Sequence, residues 1–238
     1  MLFRNTCCIF LAIIVSFTAF SQTEKTKIYV DYDGKPSENS HSLYYIETYK
    51  TNADEQYWQR KMYYNDTTEG VIASVGSSSD LQGQVKEGAF VYFRKNGSKE
   101  KEGNYINNEK EGEWKEWNKT GDLSAVNHFK KGKMVGRNVS WHDNKKINDS
   151  TILDGNGNGK SISFFDNGAN ESEGSYTEGE KNGSWTYFFR DIKNQKSMEV
   201  VYEKDSAITY TCFDESGEKQ KKNCVFERKA NFRGSEAT

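Results

Sequence analysis

The sequence predicts an all-β protein: an array of antiparallel β-hairpin repeats, about 24 residues each, forming an elongated twisted sheet. Three observations carry this. Gly88, Gly112, Gly136, Gly159 and Gly183 recur at spacings of 24, 24, 23 and 24, and a fixed period is the mark of a repeat architecture. An aromatic residue stands five places after each: Phe93, Trp117, Trp141, Phe164 and Phe188. Aromatics make up 14% of the chain although only 34% is hydrophobic, with Gly at 20 residues and Pro at one. A disordered chain would be poor in Tyr, Phe and Trp, whereas short strands and tight turns around aromatic side chains account for both numbers.

Taken in order, residues 1–21 read as a signal peptide. Arg4 precedes an apolar run from Cys7 to Phe20, and Ala19 and Ser21 are small residues suited to cleavage before Gln22. The run is short for a membrane span, which leaves an uncleaved anchor as the other reading. Residues 22–85 form a β-rich N-terminal cap with degenerate repeats. Asp33-Gly34 is a hairpin turn signal, Leu43–Ile46 and Met62–Tyr64 read as strands, and SVGSSSDLQGQ (74–84) reads as a polar loop. Residues 86–206 hold five repeats, each a strand, a tight turn (Asn96-Gly97, Thr120-Gly121, Asn144-Lys145, Asn167-Gly168), a second strand and a second turn. Tyr105, Phe129, Leu153, Tyr176 and Val200 stand seventeen residues after the glycines. Residues 207–226 make a degenerate sixth hairpin turning at Ser216-Gly217.

DGNGNGKS (154–161) invites two chemical readings, and each lacks one essential residue. A phosphate loop needs Gly where Asp154 stands, and a calcium loop needs Glu where Phe165 stands. The stretch occupies the same slot as Asn107–Gly112 and Glu178–Gly183, so it reads as the turn between hairpins, where Gly and Asn accept positive φ.

Side chains alternate across a strand. Positions three and five after each glycine are nearly always apolar and are expected to face the core. They include Val91, Phe93, Val139, Ile162 and Trp117, whose truncation to Ala is then expected to cost about 3–5 kcal/mol. Positions two and four include Phe90, Tyr92, Trp114, Trp185 and Tyr187 in the first, second and fifth units and polar residues in the middle ones. These five rings form a candidate contact face. Either they pack against the caps, the commoner role for such rings, or they make two exposed contact patches.

Cys212 and Cys224 flank ESGEKQ and could face each other across the last hairpin. A disulfide, suited to export, and a pair of buried thiols both stay open.

With 33 Lys+Arg against 35 Asp+Glu and a net charge of -2, there is no electrostatic footprint for nucleic acid. His41, His128 and His142 sit in no metal-binding spacing, and no nucleophile elbow is present. The acidic residues lie mostly in turns, and nothing singles out a catalytic pair. The expectation is therefore no enzyme, no cofactor, no metal, and no membrane contact beyond the signal peptide.

GNYINNEKEGEWKEWNKTG and GSYTEGEKNGSWTYFF resemble MORN-variant repeats of the form NGK..G.W..YY.NG, often labelled YwqK-type antitoxins. Such repeats also precede the TonB C-terminal domain in exported proteins of Gram-negative bacteria. The tail ERKANFRGSEAT (227–238) is similar to the FPGGEEAW entry of that domain. Phe232, Gly234, Glu236 and Ala237 match, while Arg233 replaces proline and Ser235 glycine. The resemblance implies the repeat part of a TonB-type energy transducer, lacking the TonB C-terminal domain and residing in the periplasm or outer envelope. The leading expectation is an exported binding or spacer module whose partner is a protein or cell-envelope component. An antitoxin-like protein that binds a toxin is the alternative, and a carbohydrate-active enzyme using carboxylates on the aromatic face is a third reading.

Overall fold

The computed structural model describes residues 25–38, 42–50, 55–66 and 70–220. The expected signal peptide, the tail after residue 226, His41 and Cys224 lie outside the described residues. Among the described residues fifteen strands form one sheet: β1 Lys25–Val30, β2 Tyr44–Tyr49, β3 Trp58–Tyr64, β4 Ile72–Ser78, β5 Lys86–Phe93, β6 Lys99–Ile106, β7 Glu109–Trp117, β8 Leu123–Lys130, β9 Lys133–Trp141, β10 Ile147–Leu153, β11 Gly159–Phe164, β12 Asn170–Thr177, β13 Glu180–Phe188, β14 Lys196–Glu203 and β15 Ser206–Cys212. Spatial order equals chain order, so the described residues form an open meander with β1 and β15 as its outermost strands. Every pairing is antiparallel. The N-terminal region is continuous with the repeats in this one sheet.

Two turn chemistries alternate along the sheet's margins. On one side, three-residue turns end in a left-handed residue: Gly97, Gly121, Lys145 and Gly168, with φ of 79°, 88°, 66° and 91°. Polar side chains brace them, as where Asn118 Oδ1 accepts the N–H groups of Thr120 and Asp122. On the other side, two-residue turns hold both residues at positive φ: Asn107-Asn108, Lys131-Gly132, Glu178-Gly179 and Lys204-Asp205. This is the type I′ geometry whose twist matches that of the strands. These turns also chain to one another. The N–H groups of Asn108, Gly132, Gly179 and Asp205 donate to the carbonyls of Lys86, Lys110, Gly157 and Lys181.

The slot at Asp154–Gly159 is a turn, as its repeat position implies, but of the other chemistry. Asp154 N–H donates to Asn158 O at 2.8 Å, and Gly157 takes the left-handed position at φ 83°. The repeat glycines Gly88, Gly112, Gly136 and Gly183 have φ of 67–74° and sit where the register shifts, whereas Gly159 does not share that φ and pairs with Leu153 without a shift. The fourth unit thus lacks the bulge that the other four repeat glycines make.

Two expectations are corrected. Ser74–Ser78, read as loop, is the greater part of β4, since β3 and β5 supply ladder partners on both sides. Only Ser79–Val85 loops out. It folds back over β1–β3, where Thr26 and Thr48 hydroxyls donate to Leu81 O and Arg60 Nε donates to Gly83 O. The face assignment is inverted as well. Phe90, Trp114 and Trp185, at position two, are 1%, 0% and 2% exposed, while Phe93, Trp117, Trp141, Phe164 and Phe188 are only half-buried. Position-five rings lie beside the three-residue turns, where the register shifts again between Tyr92 and Phe93 and between Glu116 and Trp117. They mark a margin of the sheet, and its interior is built from position two and from the residues seventeen places after the glycines.

Candidate functional site

A single row of cross-strand neighbours runs over the buried face, here called inner. From β4 it reads Ser74, Tyr92, Lys101, Glu116, Ala125, Ser140, Asp149, Ser163, Ser172, Tyr187, Met198 and Cys212. Its chemistry has three zones: an aromatic cluster over β5–β8, a polar seam over β9–β12, and a second aromatic cluster over β12–β14.

In the first cluster, Trp114 meets the edges of Tyr105 and Phe129 at ring separations of 4.9 and 6.4 Å, and Phe90 meets Tyr105 at 5.2 Å. The Trp114 ring lies directly on Gly103, where a Cβ would come within 2.2 Å of it, and its Nε1–H donates to Asn104 O at 3.2 Å. The second cluster repeats the device. Trp185 lies on Gly174 and donates to Ser175 O at 3.1 Å, with Tyr176 and Tyr202 at its edges. The pairs Tyr92–Tyr105 and Tyr187–Tyr202 each join their hydroxyls at 3.0 Å. Burial pushes the phenols of Tyr92, Tyr105, Tyr176 and Tyr187 upward, Tyr176 to about 12.

Lysines roof both clusters. Lys110 Nζ stands 4.7 Å from the Trp114 and Phe129 ring centres, Lys86 Nζ 4.9 Å from Tyr105, and Lys101 Nζ 5.0 Å from Tyr92. Lys181 Nζ stands 4.1 Å from Trp185. Such cation–π contacts favour the charged form, yet burial opposes it. Lys86 is lowered to about 8 by burial first and then by the positive charges of Arg60, Lys101 and Lys110. Lys110 is lowered by burial and by Lys101. Lys181 is also lowered by burial, but Asp205 and Asp149 pull it back.

The seam replaces Trp by Asn138 and Ser161. Asn138 accepts the His128 N–H at 2.8 Å and donates to the carbonyls of Val135 and Gly136, so its side chain ties down the bulge backbone. The Asp149 carboxylate accepts Thr151 Oγ1–H at 2.8 Å and Ser161 Oγ–H at 3.0 Å. Burial raises the Asp149 carboxyl from its ordinary value in spite of these bonds.

The outer face carries its own row. From β3 it reads Lys61, Val75, Val91, Glu102, Lys115, Val126, Val139, Ser150, Ile162, Glu173, Thr186, Glu199 and Thr211. None of these is fully buried. A shallow hollow of about 310 Å³ opens on this face, lined by Tyr49, Gln59, Lys61, Val75, Ser77, Ala89 and Val91 among others.

Of the five rings expected to form a contact face, Phe90, Trp114 and Trp185 are buried in the two clusters, and Tyr92 and Tyr187 are half-buried beside them. They belong to the interior in two separate groups. Cys212 is buried and disulfide-bonded, and its expected partner Cys224 lies outside the described residues. His128 Nδ1 and His142 Nε2 sit 2.7 Å from the carbonyls of Arg137 and Phe164. Among the described residues no three His, Cys, Asp or Glu side chains converge as metal ligands. The lysine roof was missed by sequence reasoning, although its signal is legible: KEGAF, KEGEW and KNGSW place Lys two residues before the repeat glycine wherever an aromatic follows it by two, while the seam has MVGRN and GNGKS. No model of a known protein family matches the chain, and no curated protein is significantly similar to it.

Proposed function

We propose that this protein is an exported, non-enzymatic binding module of the bacterial cell envelope. It engages a protein or envelope component through the outer face of its sheet. The observation that supports this most is the outer row, which crosses the sheet without a break and mixes charged residues (Lys61, Glu102, Lys115, Glu173) with half-exposed Val126, Val139 and Ile162. Repeat arrays present extended surfaces of this kind. The resemblance of the tail to the entry of a TonB domain adds service as the repeat part of an energy transducer to the proposal.

Two measurements test it. The intact mass of the natural protein, taken by cell fraction, should find an envelope species beginning at Gln22. An uncleaved species confined to the cytoplasm would defeat export and favour the toxin-binding alternative. Photo-crosslinkers placed at Lys115, Ile162 and Thr186 should yield one discrete adduct in intact cells. Adducts from none of these positions, in a folded and correctly located protein, would overturn the use of the outer face.

A further inference from the structure

We infer that the inner face over β5–β7 is a binding site for a compact oxyanion carrying two or more negative charges, held by the ammonium groups of Lys86, Lys101 and Lys110 above the ring floor of Tyr92, Tyr105 and Trp114. This site lies on the opposite face from the surface proposed above, so the two readings can fail separately.

The three lysines come from three adjacent strands and are held over adjoining rings, at 4.9 Å (Lys86–Tyr105), 5.0 Å (Lys101–Tyr92) and 4.7 Å (Lys110–Trp114). None of the three ammonium groups forms an ion pair or a hydrogen bond among the described residues. The nearby carboxylates are used elsewhere: Glu102 pairs with Lys99, Glu113 with Lys115, and Glu87 and Glu111 cap turn N–H groups at Asn107 and Lys131. Glu116, the cross-strand neighbour of Lys101, acts on Lys110 at a distance without pairing. Behind the lysines stands Arg60, buried and bound to Gly83 O and Ser74 Oγ, with Asp80 within its electrostatic range. It adds a buried positive charge that Asp80 offsets in part. Burial first, and then repulsion from these like charges, lowers the Lys86 ammonium to about 8. A polyanion would reverse that repulsion and gain charge-assisted hydrogen bonds in a half-buried setting.

The second cluster supplies the internal contrast. Lys181 occupies the equivalent place over Trp185, but Asp149 and Asp205 face it. The same scaffold is therefore neutralised at one end of the repeats and left positive at the other.

A phosphate ester and a polycarboxylate share the required chemistry, so the test uses both. Isothermal titration of the full chain with pyrophosphate and with citrate at near-neutral pH should show binding by at least one. Pyrophosphate alone would assign the phosphate class, citrate alone the carboxylate class, and both would assign charge density as the determinant. Lys86→Met with Lys110→Met keeps the apolar stems over the rings and should weaken binding about tenfold or more. Lys181→Met should leave it unchanged. Affinity should fall as the pH rises through the range where Lys86 loses its proton in the free protein, at about 8. Circular dichroism confirms that each variant is folded, and Lys101→Met alone serves if the double variant is not. No binding of either anion, or binding that survives loss of the lysines, overturns the site.

Discussion

Trp114 shows how one side chain organises its surroundings. Its ring fills the space left by the missing side chain of Gly103, its Nε1–H satisfies Asn104 O, and Lys110 covers its outer side. Trp114→Ala removes all of this at once and should cost about 3–5 kcal/mol in urea unfolding. Trp117 is half-buried at a margin, with Lys99 Nζ 4.8 Å from its ring centre. Trp117→Ala should therefore cost distinctly less than Trp114→Ala, and equal costs would contradict the face assignment. Gly103→Ala tests the same contact from below. A Cβ there overlaps the indole, so the ring must move, and a loss of about 1–3 kcal/mol is expected by thermal unfolding.

At the scale of strands and turns, backbone conformation and side-chain zone make separate contributions. Gly112 has φ 71° with nothing within 4 Å of a Cβ, so Gly112→Ala isolates the cost of a left-handed L-residue, about 1–2 kcal/mol. Lys204 holds φ 47° in a two-residue turn. Lys204→Asn should stabilise the protein by up to ~1 kcal/mol, because Asn enters that region more readily. A lower melting temperature for this variant would argue against the turn assignment. The seam between the clusters places Asn138 and Ser161 where the flanking units have Trp, with Asp149 and Thr151 hydrogen-bonded to Ser161. Local stability follows buried apolar contact. Amide exchange should therefore be slowest in β5–β8 and β13–β14 and faster in β9–β11. Uniform protection along the array would mean that the ladder alone sets local stability.

For the molecule as a whole, the titrations of the inner face should shape stability at alkaline pH. Lys86 is lowered to about 8 in the folded state, against about 10.4 unfolded. Between those values the unfolded chain binds more protons, so stability rises with pH there. The buried phenols act oppositely. Tyr176 is raised to about 12, and Tyr92, Tyr105 and Tyr187 are raised too. Above about 10 the unfolded tyrosines ionise first and stability falls. Urea midpoints should thus climb above pH 8, peak near 10 and then drop. Lys86→Met should flatten the climb and leave the drop.

The sequence by itself determined the class, the period, the hairpin order and the turns, because glycine spacing and Asn/Gly chemistry act through neighbours in the chain. It also placed Tyr105, Leu153 and Val200 at a shared repeat position that proved to be interior. Only the tertiary structure decided which face is inside. Alternation yields two faces and no sign, and the choice fell to the face where Gly103 and Gly174 let indoles lie on the backbone of a neighbouring strand. The absent bulge at Gly159 was likewise invisible, since it shows only in the ladder that Gly159 makes with Leu153 on the neighbouring strand. The lysine cluster was hidden for a related reason: Lys86, Lys101 and Lys110 lie on separate strands, and strand register brings their charges together over one floor of rings.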